Sequence, residues 1–262
     1  MDGHSLKFRA AAVVAAVALA TACGDDGGGT TAADGGAAPA AEPVIDVGDG
    51  GHYEPGVGPE DFVAGVDNPY LPFRPGERWV YEGTSAAGEV ERIDVTVTGE
   101  RRDVMGVPVV VVRDTVTVAG ELTEDTRDWY AQDRAGNVWY LGEETAEYEG
   151  GEVVSTDGSW EAGVDGALPG IVMPAEPRVG DAYRQEYDRG EAEDVAEVTR
   201  VDQAVSVPAG DFDRVVVTTD WNPFEPEVVE EKHYAAGVGL VLEEKVSGED
   251  GRVELVGHVP GG

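Results

Sequence analysis

Histidine carries much of the proton-transfer and metal chemistry that runs near neutral pH, so it is the first side chain to locate. Beyond its N-terminal stretch the 262-residue chain has only His52, His233 and His258. His52 falls in a Gly/Ala/Asp/Pro tract and His258 near the C-terminus, which leaves His233 as the one histidine in an expected strand. A Ser-His-Asp device also needs an activated serine, and no Gly-x-Ser-x-Gly elbow occurs: Gly158-Ser159-Trp160 lacks the second glycine. His-Glu-x-x-His pairs, phosphate-binding glycine loops and dinucleotide fingerprints are absent as well. Paired carboxylates would suit glycoside hydrolysis, but among 53 Asp and Glu residues nothing selects two. The expectation is a protein without enzymatic activity, with a hydrolase as an alternative.

Two acidic-aromatic clusters are the sharper candidates. The first runs from Asp125 to Tyr140 and sets Trp129, Tyr130, Trp139 and Tyr140 among Asp128, Asp133 and Asn137. Hard cations such as Ca²⁺ take six to eight oxygen ligands, so Asp128, Asp133 and Asn137 are candidate metal ligands, although their spacing departs from the EF-hand loop. The competing reading is a β-hairpin turning at Asp133–Asn137, with the aromatics as cross-strand packing pairs. The second cluster, from Tyr183 to Asp194, has a turn at Asp188-Arg189-Gly190 and an acidic flank of Glu191, Glu193 and Asp194, further candidate ligands. Pseudo-symmetric pairing of the two parts of the chain would bring both clusters to one sheet end. Trp160, near Ile171 and Met173, either caps an apolar groove or fills a core. The candidate ligand-binding set is thus Trp129, Tyr130, Trp139, Trp160 and Tyr183; no cofactor is implied, and Ca²⁺ is the metal to consider.

These residues need strands to hold them. Hydrophobic residues make up 41% of the chain and are mostly Val and Ala, with 37 Gly and 15 Pro, a mixture suited to strands and turns. Glu91 to Thr98 alternates strictly, placing Ile93, Val95 and Val97 on one face. Val107 to Val112 is a β-branched run, and Gly136-Asn137 marks a turn before Val138-Trp139-Tyr140. A second set of strands follows at Val195–Val207, Arg214–Thr219, Val228–Tyr234 and Gly239–Lys245. The sets resemble each other: Arg74-Pro75-Gly76-Glu77-Arg78-Trp79 matches Arg178-Val179-Gly180-Asp181-Ala182-Tyr183, and Trp129-Tyr130-Ala131 matches His233-Tyr234-Ala235, both at an offset of 104. The expected fold is therefore all-β, a duplicated antiparallel curved sheet or half-barrel with little helix outside the leader. Residues 59–149 and 178–262 form two β units packed as one domain, joined by an irregular connection over 150–177.

The N-terminal region has its own logic. Lys7 and Arg9 precede an apolar run from Ala10 to Ala20, too short to span a bilayer as a stable helix but suited to a secretory signal over 1–22. Leu19-Ala20-Thr21-Ala22-Cys23 resembles the lipobox of bacterial lipoproteins, with Ala20 where leucine is usual and Leu19 one residue further back. The resemblance implies a diacylglyceryl group on Cys23, the lone cysteine, and two acyl chains anchor stably where one would not. Residues 23–58 read as a disordered tether with a reach on the order of 30 Å. A formal charge of −35 repels phosphate backbones and excludes nucleic acid as a partner. Such acidity fits a solvated surface, a saline habitat or divalent-cation binding.

Val207-Pro208-Ala209-Gly210-Asp211-Phe212 and Tyr234-Ala235-Ala236-Gly237-Val238-Gly239-Leu240-Val241 resemble a pattern recurring in extracytoplasmic bacterial lipoproteins. That group is similar to the half-barrels of lipoprotein-localisation and lipid-carrier proteins, which implies a curved sheet around an apolar face. Only three lysines, with abundant Ala, Gly, Val and Arg, point to a GC-rich, actinobacterial type of genome. The expected function is a membrane-tethered, non-enzymatic extracytoplasmic lipoprotein that binds a ligand the sequence does not name, with small molecules and lipids as the partner classes open to it and protein partners unspecified. A Ca²⁺-binding surface module and a carrier of lipid or other apolar ligands are the alternatives beside the hydrolase.

Overall fold

The computed structural model describes residues 53–85, 88–248 and 250–262. The expected leader, Cys23 and the expected tether as far as residue 52 lie outside the described residues. Packing begins at the first described residue, ahead of the expected boundary at 59: the Tyr53 hydroxyl donates to the Pro169 carbonyl at 2.8 Å.

Period-two segments form long strands. The first five are β1 (Phe62–Val63), β2 (Arg78–Thr84), β3 (Val90–Val104), β4 (Val107–Val118) and β5 (Glu121–Asp133). They are followed by β6 (Val138–Glu149), β7 (Glu152–Ser155), β8 (Trp160–Glu161) and β9 (Leu168–Met173). The second part supplies β10 (Ala182–Arg184), β11 (Glu186–Tyr187), β12 (Val195–Val207), β13 (Gly210–Trp221), β14 (Val229–Ala235), β15 (Gly239–Ser247) and β16 (Gly251–Val259). Ile93, Val95 and Val97 point inward as their alternation demands and are buried. Among the described residues there is no α-helix; one 3₁₀ turn spans Pro59–Asp61. Met105-Gly106 and Ala119-Gly120 take positive φ at both positions, the twist that two-residue hairpins need.

Every pairing is antiparallel, and the strands follow one another as β10, β12, β13, β14, β15, β16, β2, β3, β4, β5, β6, β9 and β11. The first and last members of this path are consecutive in the chain. The segment Ala182–Tyr187 pairs through β10 with β12 and through β11 with β9, so it draws the two edges together. The sheet curves past a half-barrel into a nearly closed barrel. Gly170 on β9 allows this: a Cβ there would lie 2.3 Å from the Gln185 backbone. The connection expected to be irregular thus supplies β9 as a stave of the barrel.

Two arcs make the barrel, β2 to β6 with β9, and β10 with β12 to β16. They open with the same turn. Gly76 N–H donates to Val97 C=O (3.1 Å), Val97 N–H to Glu77 C=O (2.9 Å), and Arg74 N–H to the Glu77 carboxylate (3.2 Å). In the second arc Gly180 donates to Val198 (2.9 Å), Val198 to Asp181 (2.8 Å) and Arg178 to the Asp181 carboxylate (2.8 Å).

The antiparallel register sorts the turns onto two ends. One end collects the β3–β4, β5–β6, β12–β13 and β14–β15 turns and is plugged by residues 57–77. Phe73 packs on Tyr130 (centroids 4.6 Å apart) and Trp79 (6.1 Å), and Phe62 lies edge-on to Trp139 (6.3 Å). Asn68 fastens the plug, its amide donating to the carbonyls of Gly136 (2.9 Å) and Pro174 (3.1 Å). The opposite end collects the β2–β3, β4–β5, β13–β14 and β15–β16 turns. The outer face carries exposed ion pairs such as Arg113–Asp125 and Arg78–Asp94, each worth roughly 0.2–1 kcal/mol. Fully burying one Val or Phe contributes about 1.5–3 kcal/mol, so the interior dominates stability.

Candidate functional site

The structure gives the Asp133 loop a structural task. Asp133 Oδ1 accepts N–H groups from Ala135 (2.9 Å), Gly136 (2.8 Å) and Asn137 (3.0 Å). Its Oδ2 accepts from Asn137 Nδ2 and Trp139 Nε1, both at 2.8 Å, while Asn137 Oδ1 accepts from Ala175 N–H (2.8 Å). The oxygens that suggested a metal ligand are taken up in holding a hairpin turn.

The remaining expected ligands are scattered. Glu191 is exposed, and Glu193 accepts from Arg184 (3.1 Å) and from Gly190 N–H (3.0 Å). Asp128 and Asp194 are buried inside the barrel. The 188–194 turn leads into β12 opposite Trp221, beside the β13–β14 loop, whereas 134–137 lies at the plugged end. The two turns therefore sit at opposite ends and do not converge, while Asp128 and Asp194 both turn into the interior beside Glu186. Among the described residues no group of three or more His, Cys, Asp or Glu is gathered as a metal ion requires.

The aromatic candidates are core. Tyr130 stacks on Tyr140 (4.9 Å), and Trp160 meets Tyr140 edge-on (5.4 Å). Trp129 is covered by the Arg102 guanidinium at 3.7 Å, and Trp139 and Tyr183 are buried. None of the five offers an open shelf. An apolar recess bounded by Val57, Phe62, Met105 and Leu141 has room for about 10 Å³, far below what an acyl chain needs.

What sequence reasoning missed is an acidic interior on the side away from the plug. Asp128, Glu143, Glu186, Asp220 and Glu243 on the strands, and Asp194 just ahead of β12, turn inward, and all are buried. Among the described residues the one fully enclosed ammonium is that of Lys232, whose Nζ lies 3.3 Å from Asp220, 3.8 Å from Glu230 and 4.0 Å from Glu243. The Tyr140 hydroxyl sits 2.8 Å from Asp128 and 3.0 Å from Glu143. Its one proton serves one carboxylate, so the other contact is completed by a proton on the second carboxyl. Trp160 Nε1 donates to Glu186 (3.1 Å), and Glu186 also shares a side-chain hydrogen bond with Asp194.

Burial decides the protonation here, because a charged carboxylate loses more hydration than a neutral acid. Burial pushes Asp128 up to about 7, against the hydrogen bond from Tyr140. It pushes Glu186 up to about 7 and, reinforced by Glu230, Glu243 up to about 8. Glu143 and Asp194 rise well above the carboxylate range for the same reason, each with carboxyl neighbours adding to the effect. Burial disfavours the Lys232 ammonium, yet Asp220, Glu243 and Glu230 outweigh it and hold its pKa well above the ordinary value. One signal for this site was present in the sequence. Asp128 follows Thr126 at the same parity, and in Val112-x-Asp114-x-Val116 an acid holds the inward phase of a β-branched strand.

Neither a family model nor a curated protein matches this chain. Two solved structures are distantly similar. One is an inferred exported protein with a YmcC-like fold from Bacteroides fragilis, 16% identical, covering 74% of this chain and 100% of its own, with a TM-score of 0.44. The other is an inferred lipoprotein from Parabacteroides distasonis, 15% identical, covering 73% of this chain and 99% of its own, with a TM-score of 0.41.

Proposed function

We propose that this protein is a lipid-anchored, non-enzymatic binding module on the extracytoplasmic side of the membrane, and that its ligand is a cation held by the acidic half of the barrel. One observation carries the ligand reading. Asp128 and Glu143 meet at the Tyr140 hydroxyl, Glu186 interacts with Asp194, and Asp220 and Glu243 meet at Lys232, the one buried ammonium among the described residues. An unbalanced set of buried carboxyls either keeps protons or takes up positive charge from outside. Glu230, opposite Asp220 in the ladder and with its side chain 19% exposed, links these groups to solvent at the acidic end. The anchoring rests on the lipobox-like stretch ending in Cys23, and the matching turns of the two arcs support an internal duplication.

Calorimetric titration with a panel of cations at pH 8 and pH 5 tests the ligand reading. Saturable binding at pH 8 that weakens at pH 5, where protons occupy the carboxyls, is the expected result. The absence of binding by every cation at both values overturns it. For the anchor, Cys23→Ser should release the protein from membranes, and mass spectrometry of the mature N-terminus should find a diacylglyceryl cysteine; an unmodified Cys23 sinks the anchor.

A further inference from the structure

The two arcs act as each other's control, because corresponding positions can be compared directly. The ladder Val112–Asp128–Glu143 of the first arc corresponds to Thr218–Lys232–Glu243 of the second. Trp79, which opens the first arc, corresponds to Tyr183. In the first arc these places make no further demand: Val112 is apolar, and Trp79 Nε1 donates to the Val238 carbonyl at 2.7 Å.

The second arc has hydroxyls in both places. Tyr183 and Thr218 are each 1% exposed, and neither hydroxyl has a hydrogen-bond partner among the described residues. Asp220, two residues from Thr218 on the inward face of β13, shows the same one-sidedness. Its Oδ2 accepts from Lys232 (3.3 Å) and Gln185 Nε2 (3.2 Å), while its Oδ1 has no hydrogen-bond partner among the described residues. Tyr183 and Asp220 lie either side of Ala196 on one cross-strand row, so only the small alanine stands between them in the ladder. Burying a polar group without a partner costs about 1–3 kcal/mol, so two hydroxyls that have no counterpart in the first arc, beside the Asp220 oxygen, indicate a site built for a guest.

We propose that Tyr183, Thr218 and Asp220 form a pocket for a primary ammonium group, three oxygens receiving its three N–H donors. This rests on the cationic reading above and names the chemical class. The oxygens suit N–H donors, and acidic partners are at hand: Asp220 lies within the pocket and Glu230 stands opposite it in the ladder. Lys232 itself shows that an ammonium is accommodated on Asp220, on the other oxygen.

The test is titration of the full-length protein at pH 8 with methylammonium, with tetramethylammonium, which carries no N–H, and with Na⁺ and Ca²⁺. Methylammonium should bind saturably and raise the melting temperature, and tetramethylammonium should do neither. Tyr183→Phe and Thr218→Val copy the apolar character of the first arc and remove unpartnered hydroxyls, so both variants should melt no lower than the parent. Each should weaken methylammonium binding roughly tenfold. In the unsubstituted protein the Asp220 carboxyl ¹³C resonance should move on titration, which needs no variant. Equal binding of methylammonium and tetramethylammonium, an unmoved Asp220 resonance, or unchanged affinity in both variants overturns the pocket. If Na⁺ or Ca²⁺ alone binds, the pocket falls and the cationic reading survives; if no cation binds, both fall.

Discussion

The two ends of this barrel are built on opposite principles. At one end residues 57–77 press Phe62 and Phe73 onto Trp139, Tyr130 and Trp79, and the polar groups there are fully hydrogen-bonded through Asn68, Gln132 and Asp133. Towards the other end the same strands turn Asp128, Glu143, Asp220 and Glu243 inward around Lys232. The plugged end draws its stability from removing apolar surface from water, which is indifferent to pH. The acidic end depends on where protons and one ammonium sit. A single continuous sheet therefore combines a constant half and a conditional half.

Substitution should expose that difference most strongly. Trp139→Ala, at the plugged end, should cost about 3–5 kcal/mol in urea melts, by the same amount at pH 5 and pH 8. Lys232→Met should cost about 3–5 kcal/mol at pH 8, because Asp220 and Glu243 lose their buried counter-charge. At pH 5 that cost should shrink. An equal penalty at both values would erase the contrast between the ends.

The unsubstituted protein offers the next test. Asp128, Glu186 and Glu243 have folded-state pKa values of about 7, 7 and 8, above the unfolded values of 3.8 and 4.5. The folded protein thus binds more protons than the unfolded chain across that interval. Its stability is fully present below the unfolded values and is lost as pH rises through 7 to 8, by a few kcal/mol in order of magnitude. Melting should be higher at pH 5 than at pH 8, and the difference should persist in about 1 M salt, which screens the exposed acids but not the buried ones. Replacing Asp128 with Asn and Glu143 with Gln together should flatten part of that slope. The smallest effect belongs to the outer face: Arg113→Ala, which breaks the exposed pair with Asp125, should change stability by roughly 1 kcal/mol or less at either pH.

Much of the fold was legible in the sequence because alternation is local. Ile93, Val95 and Val97 announced their face, and Gly136-Asn137 its turn. The stave β9 was not, since Pro169 to Met173 is buried on both faces and lacks a period of two. The acidic site was hidden for a different reason. In a chain with 53 acids a carboxylate stands out only once its strand's inward phase is known, and Glu143 depends further on Gly142, where β6 breaks phase beside β8. Asp133 and Asn137 drew notice as ligands because the atoms that bind a cation are also the atoms that fasten a turn.

The segment Ala182–Tyr187 gives half of its length to each rim of the sheet. A sheet stitched to itself in this way offers few unpaired amides along its girth to a neighbouring molecule. Such proteins can stand side by side at high density without strands passing from one to the next.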